Sequence, residues 1–227
     1  MSFSPSDGIG ALRRERLRTA RLYFVCEARP GGEDPEPLLK AALDGGADII
    51  QLREKSGDMR MIDRSAQTFR RLADNYGVPF MVNDDPEFAV SCRADGVHIG
   101  QDDMSVEEAR RIVGTDALIG LSTHSAEQIA AAVGVDHISV GPVWETPTKE
   151  GRPAVGLDLV RHAAETTTIP FFAIGGIDTE NVDEVLAAGA RRICVVRAIR
   201  DAQDPTGVAA ALRRAFAAVG EEVLPGG

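Results

Sequence analysis

Lysine is nearly missing from this 227-residue chain: only Lys40, Lys55 and Lys149 carry an ammonium, and acidic residues outnumber basic ones 35 to 25. That balance argues against a general nucleic-acid surface and for a soluble protein. Cysteine is equally scarce. Cys26, Cys92 and Cys194 are odd in number, far apart and set in apolar runs, which disfavours disulfides or a cysteine metal site and predicts free thiols of a reducing, cytoplasmic compartment. No apolar run approaches the roughly 20 residues of a membrane span, so no membrane partner is expected. The basic start, MSFSPSDGIGALRRERLRTA, is followed by RLYFVCEARP, which is too short for a signal-peptide apolar region and lacks a small-residue cleavage pattern. Residues 10–20 are read as a short helix, within an arm at 1–19. No linker or low-complexity segment divides the rest, which is expected to form one domain over 20–220.

What is there is a unit repeated without sequence identity. The short β-rich runs are RLYFVC, DIIQLR, VPFMVN, DGVHIG, ALIGLS, HISVGP, PFFAIGG and RRICVVRAI. Between them lie helical segments such as PEPLLKAALDGGA, MIDRSAQTFRRLADNYG, SVEEARRIVG, SAEQIAAAVG and TENVDEVLAAGA, several opening near Ser, Thr or Asp and closing on Gly. Alternation of this kind means parallel strands with right-handed crossovers. Eight such units fit a single (β/α)8 TIM barrel. A doubly wound sheet would alternate too, but the G-x-G-x-x-G fingerprint after the first run is absent.

In such a barrel, residues that close each strand converge on the active site. In DIIQLREKSGD, period-two alternation puts Gln51, Arg53 and Lys55 on one face and Ile50 and Leu52 on the other. Two cations beside an apolar run require an anion. Asn83, Asp84, His98, Gly100, Gln101, Ser122 and His124 close the next three runs. The long segment GPVWETPTKEGRPAVG adds Thr146, Thr148 and Lys149, and Gly175 and Gly176 follow the seventh run, where barrels of this type often bind phosphate. Asp84 and Asp103 suit a Mg²⁺ that keeps waters and shares phosphate oxygens. Salt bridges with the nearby cations are the structural alternative for this pair, and helix capping is the alternative for Asp85, Asp102 and also Asp103, two residues before Ser105.

The ordered motifs QLREK, VNDD, DGVHIGQDD, GLSTH, GPVWETPTK, AIGGI and VVRAI, over residues 20 to 205, resemble the thiamine phosphate synthase family. The resemblance implies a TIM-barrel transferase that joins hydroxymethylpyrimidine diphosphate to a thiazole phosphate, with release of diphosphate by a dissociative, Mg²⁺-assisted route. It implies that Gln51, Leu52, Arg53, Glu54, Lys55, Asn83, Ser122 and Lys149 hold the pyrimidine diphosphate, with Arg53, Lys55, Lys149 and Ser122 as the catalytic set. Asp84 and Asp103 would ligate Mg²⁺, while Thr146, Pro147, Thr148, Gly176, Val196 and Arg197 would hold the thiazole phosphate. Many relatives carry Ser where this chain has Arg197, which puts the side-chain role there in question and leaves the backbone role intact. Two alternatives remain: a thiazole tautomerase using His124 as proton shuttle, or a non-catalytic ligand-binding barrel. His98 is read as lining the barrel near the pyrimidine or as a satisfied core residue, and His137 and His162 as surface or packing residues. The sequence leaves oligomeric state open.

Overall fold

The eight β-rich runs form eight parallel strands that close on themselves. In the computed structural model, which describes residues 8–54, 57–146 and 153–219, strand order is sequential and the last strand pairs with the first. The strands are β1 (Leu22–Cys26), β2 (Ile49–Leu52), β3 (Phe80–Asn83), β4 (Gly96–Ile99), β5 (Leu118–Thr123), β6 (His137–Val140), β7 (Phe171–Ile174) and β8 (Ile193–Val195). Around them lie α1 (Ile9–Thr19), α2 (Pro35–Asp44), α3 (Met59–Tyr76), α4 (Pro86–Ser91), α5 (Val106–Val113), α6 (Ala126–Ala131), α7 (Gly156–Thr166), α8 (Val182–Ala187), α9 (Arg197–Arg200) and α10 (Pro205–Ala215). Lys55, Pro147, Thr148 and Lys149 lie outside the described residues.

Six of the described α-helices start on a side-chain cap. Asp34, Asp58, Asp85, Ser125 and Asp204 each accept a backbone N–H of the helix that follows. Ser105 and Glu108 form a reciprocal capping box on α5. Gly77 ends α3 at φ 69°, a left-handed conformation open to glycine at little cost.

Strand parity divides the apolar residues between two cores. Leu22, Phe24, Ile50, Leu52, Phe80, Val82, Val97 and Ile119 face the helices. Tyr23, Val25, Ile49, Met81, Leu118, Phe172 and Cys194 fill the barrel interior, and Leu17 and Ala20, from α1 and its C-terminal edge, pack against them. Leu17 is 2% exposed, a burial that contributes about 1.5–3 kcal/mol. The helix predicted at 10–20 is therefore present and closes the N-terminal end of the barrel.

That end is pinned by three aspartates, each just before an even-numbered strand. Asp48 accepts from the backbone N–H of Leu22 at 2.9 Å, Asp95 from Phe80 at 2.9 Å and Asp136 from Ile119 at 2.8 Å. Arginines complete them: Arg13 and Arg70 on Asp95, both at 2.8 Å, and Arg14 and Arg110 on Asp136, at 2.7 and 2.8 Å. No helix among the described residues is long and apolar enough to cross a membrane.

Candidate active site

At the opposite end, the strand termini surround a cavity of about 480 Å³. Its walls come from all eight strands or the loops that follow them, because every inward position near a strand end reaches it. From β2 and the residue after it come Gln51 and Arg53, from β3 Asn83, from β4 His98, and from β5 and the residue after it Ser122 and His124. The β6 side supplies His137, Ser139, Trp144 and Thr146. Beyond β7 and β8 lie Gly175, Gly176, Asp178, Asn181, Val196, Arg197 and Asp201.

The alternation read from DIIQLR holds for Gln51 and Arg53, which line the cavity; its extension to Lys55 lies outside the described residues. Gln51 points inward, is 3% exposed, and donates through Nε2 to the Tyr23 hydroxyl at 2.7 Å. Burial first, then the nearby Cys194, raises the Tyr23 pKa well above its ordinary value, so the phenol stays neutral. Tyr23 meets Phe172 edge-on at 5.3 Å. Arg53 lines the cavity half-buried. The side chain of Leu52 lies on the other face, in the core beneath the helices, and neither Leu52 nor Glu54 lines the cavity.

Below the mouth sits a polar cluster on neighbouring strands. His98 Nε2 is 3.1 Å from Ser122 Oγ and 3.4 Å from Ser139 Oγ, and its Nδ1 is 3.3 Å from His137 Nε2. His137 is therefore an interior residue with no exposed surface, which rules out the surface half of its sequence reading and keeps the packing half. Burial, together with the charge of Arg192 and against the pull of Asp136, moves its pKa down to about 4. The carbonyl of Ser122 accepts from Gln101 Nε2 at 2.6 Å. His124 Nδ1 donates to the Gly141 carbonyl at 2.5 Å, which fixes the ring against the cavity wall.

The carboxylates proposed for Mg²⁺ stand at adjacent strand ends but outside the cavity wall. Asp84 is exposed and adopts φ 64°, with its N–H donating to the His98 carbonyl at 2.8 Å, so the residue turns off β3 beside β4. Positive φ is uncommon outside glycine, though Asp tolerates it better than most residues. Asp103 is exposed and accepts from the Gly100 N–H at 2.7 Å through Oδ2. Among the described residues no three potential ligands cluster as a protein cage. Two carboxylates alone still fit an ion whose remaining ligands are water and substrate oxygens. Asp85 does cap α4, accepting from the Phe88 N–H at 2.8 Å.

The other side of the mouth is mostly backbone. Gly175 and Gly176 have φ 105° and 70°, and a Cβ on Gly176 would stand 2.8 Å from the Cβ of Trp144, so a side chain fits neither the conformation nor the space. Asn181 Nδ2 ties the Gly176 carbonyl at 2.8 Å. Arg197 begins α9 half-exposed and is held by Asp201 at 3.2 Å; Arg200 bonds the same carboxylate at 2.6 Å and Glu27 at 2.5 Å. Sequence reasoning had no role for Tyr23, Ser139, Asp178, Asn181 or Asp201. The inward parity of Tyr23 and Ser139 within their strands was the available signal for those two.

The family model described as thiamine monophosphate synthase matches residues 22–199. A thiamine-phosphate synthase of Acidothermus cellulolyticus is 50% identical over 89% of this chain and 97% of its own length. The one from Thermus thermophilus is 52% identical over 85% and 95% respectively. Among solved structures, thiamine phosphate pyrophosphorylase from Pyrococcus furiosus superposes with a TM-score of 0.81 at 32% identity, covering 91% of this chain and 98% of that one.

Proposed function

The chain belongs to the thiamine monophosphate synthase family, and on that premise we propose that it couples 4-amino-2-methyl-5-hydroxymethylpyrimidine diphosphate to hydroxyethylthiazole phosphate, or to its carboxylated form with loss of CO₂, yielding thiamine phosphate and diphosphate. The enzyme is a transferase. The observation that carries the reading is the two-sided cavity: a guanidinium, two amides and a hydroxyl on the β2–β5 side, and a glycine-lined backbone with Arg197 on the β7–β8 side. Two phosphorylated substrates can face one another across it.

The chemistry these residues support is departure of a leaving group. A diphosphate leaves a benzylic-type carbon as charge gathers on oxygen, and Arg53 is positioned to bind that charge at the mouth. A unit charge about 4 Å from a phosphate oxygen is worth on the order of 4 kcal/mol at an effective dielectric near 20, before desolvation. Lys55 and Lys149 are assigned the same work from the motif alone. Asp84 and Asp103 hold Mg²⁺, which when bound supplies positive charge to the diphosphate oxygens. Gln51, Asn83 and Ser122 orient the pyrimidine so that the carbon losing diphosphate faces the thiazole nitrogen. The thiazole phosphate rests on Thr146, the backbone at Gly176 and Val196, and Arg197. We assign residues 20–220 as the catalytic unit, 1–19 as an appended arm and the cytoplasm as the compartment, where Cys26, Cys92 and Cys194 remain the free thiols observed.

The test is to incubate the protein with both substrates and Mg²⁺ and follow thiamine phosphate by mass spectrometry. Product that disappears with chelator and returns with metal is the expected result. No coupled product, with His124-dependent isomerisation of a thiazole carboxylate instead, would overturn it in favour of the tautomerase.

A further inference from the structure

Three neighbouring strands build a contact inside the barrel that the proposed chemistry has not used. The register aligns His98 of β4 with Gly120 of β5, and Gly120 with His137 of β6. A Cβ at Gly120 would overlap both His98 Nδ1 and His137 Nε2. The missing side chain is thus the space in which the two imidazoles meet, with ring centroids 5.3 Å apart and nitrogens 3.3 Å apart. His98 then reaches Ser122 Oγ with its other nitrogen at 3.1 Å. The path runs along the inner wall of the cavity, from His137, which is 0% exposed, to Ser122.

The direction of the protons along this path follows from the far end. His137 Nδ1 is buried and has no hydrogen-bond partner among the described residues, and Tyr23 and Phe172 pack against the ring at 6.0 and 5.6 Å between centroids. An orphaned N–H is rarer in folded proteins than an under-used acceptor, so the proton belongs on Nε2, where a partner waits. His137 Nε2–H donates to His98 Nδ1, which leaves the His98 proton on Nε2 to be donated to Ser122 Oγ. An oxygen that accepts from His98 has its own hydrogen left to donate. Burial keeps His137 neutral across the physiological range, as this arrangement requires.

We propose that His137 is a positioning residue: acting through His98, it turns the Ser122 hydroxyl into a hydrogen-bond donor aimed at an acceptor atom of the pyrimidine half of the substrate. The identity of that substrate rests on the function proposed above. In this arrangement His98 is a donor to Ser122 and is not a base for it, so Ser122 is not an activated nucleophile despite its 3.1 Å approach to an imidazole.

The direct test is ¹⁵N NMR of the ring nitrogens in the ligand-free, histidine-labelled protein at neutral pH, with His98 and His137 assigned by substitution. Both rings should be neutral and protonated on Nε2. A proton on His98 Nδ1, or a doubly protonated ring at either position, overturns the proposal. In kinetics, His137→Phe keeps an aromatic volume and removes the donor; it should raise KM for the pyrimidine diphosphate about tenfold and leave KM for the thiazole phosphate unchanged. His137→Gln, whose amide can donate from near the Nε2 position, should recover most of that loss. Equal effects on both substrates, or no recovery with Gln, would mark His137 as packing alone. Should His137→Phe fail to fold, the NMR result on the unmodified protein decides. Absence of thiamine phosphate formation by the unmodified protein would overturn the proposed function without touching the tautomer result.

Discussion

At the N-terminal end of the barrel each buried carboxylate is matched to partners that the fold itself supplies; at the C-terminal end many polar groups face a cavity. Asp95 shows the first pattern, receiving a backbone N–H from β3, Arg13 from α1 and Arg70 from α3. Gln51, Asn83, Ser122 and Arg53 show the second, lining a space of about 480 Å³. The first pattern joins elements distant in sequence and rigidifies the base on which the strands stand. The second lines an open space with polar groups, two of which, Gln51 and Ser122, are also hydrogen-bonded to protein neighbours. The comparison predicts that changes at the base alter stability with little effect on turnover, and that changes at the mouth do the reverse.

The largest expected effect lies at the base. Asp95→Ala leaves two largely buried guanidinium groups and the Phe80 N–H without their acceptor, since Asp95 and Arg70 side chains are only 9% and 13% exposed. Breaking one side of such a pair costs about 3–5 kcal/mol, or a fall in melting temperature of roughly 6–20 °C. Thermal unfolding checks the fall, and kcat at 25 °C should remain within about twofold. A variant with normal melting and lost turnover would reverse the assignment of the two ends.

Between the two ends lies His137, and pH probes it. The ring takes a proton near 6.5 when unfolded but is held down to about 4 when folded. Between those values the unfolded state binds more protons, so this group causes stability to fall as pH falls from 6.5 towards 4, and has no effect above 6.5. The full loss is on the order of 3 kcal/mol. Denaturant midpoints at pH 7, 6 and 5 should show the slope in the natural protein and a shallower one in His137→Phe. Equal slopes would mean that the ring is not held neutral by the barrel.

Much of this division was legible in the sequence because period-two alternation is a local signal. DIIQLR showed which side chains of β2 face the cavity, and the eight runs closed in the expected order. The base was not legible in the same way. Asp48, Asp95 and Asp136 each stand before an apolar run and look like turn residues; their partners are up to 122 positions away, as with Arg14 and Asp136. His137 was hidden for a related reason. Its meaning depends on the empty space at Gly120, one strand away, which no single segment displays.

At the mouth, Asp84→Asn tests the proposed metal role with little disturbance of the backbone. Asn tolerates positive φ as Asp does, so the turn at φ 64° should survive. Turnover should fall roughly a hundredfold, equivalent to about 2.7 kcal/mol, with a higher Mg²⁺ requirement and unchanged melting. Initial rates across a Mg²⁺ series measure this. Full activity at limiting metal would remove Asp84 from the site.

The smallest effect sharpens the comparison most, because it concerns the very next residue. Asp85 shares the mouth with Asp84, yet its carboxylate accepts the Phe88 N–H at 2.8 Å and starts α4. Here a residue at the functional end does the kind of work seen at the base, satisfying a backbone donor that the helix leaves open. Asp85→Ala should therefore cost about 1 kcal/mol, seen as a fall in melting temperature of roughly 2–4 °C, while the Mg²⁺ dependence of the rate stays that of the natural protein. Measured beside Asp84→Asn, the pair separates a helix cap from a proposed metal ligand at neighbouring positions. If Asp85→Ala instead shifted the metal requirement and left melting untouched, capping α4 would not be the work of Asp85, and the contrast between the ends would reduce to location alone.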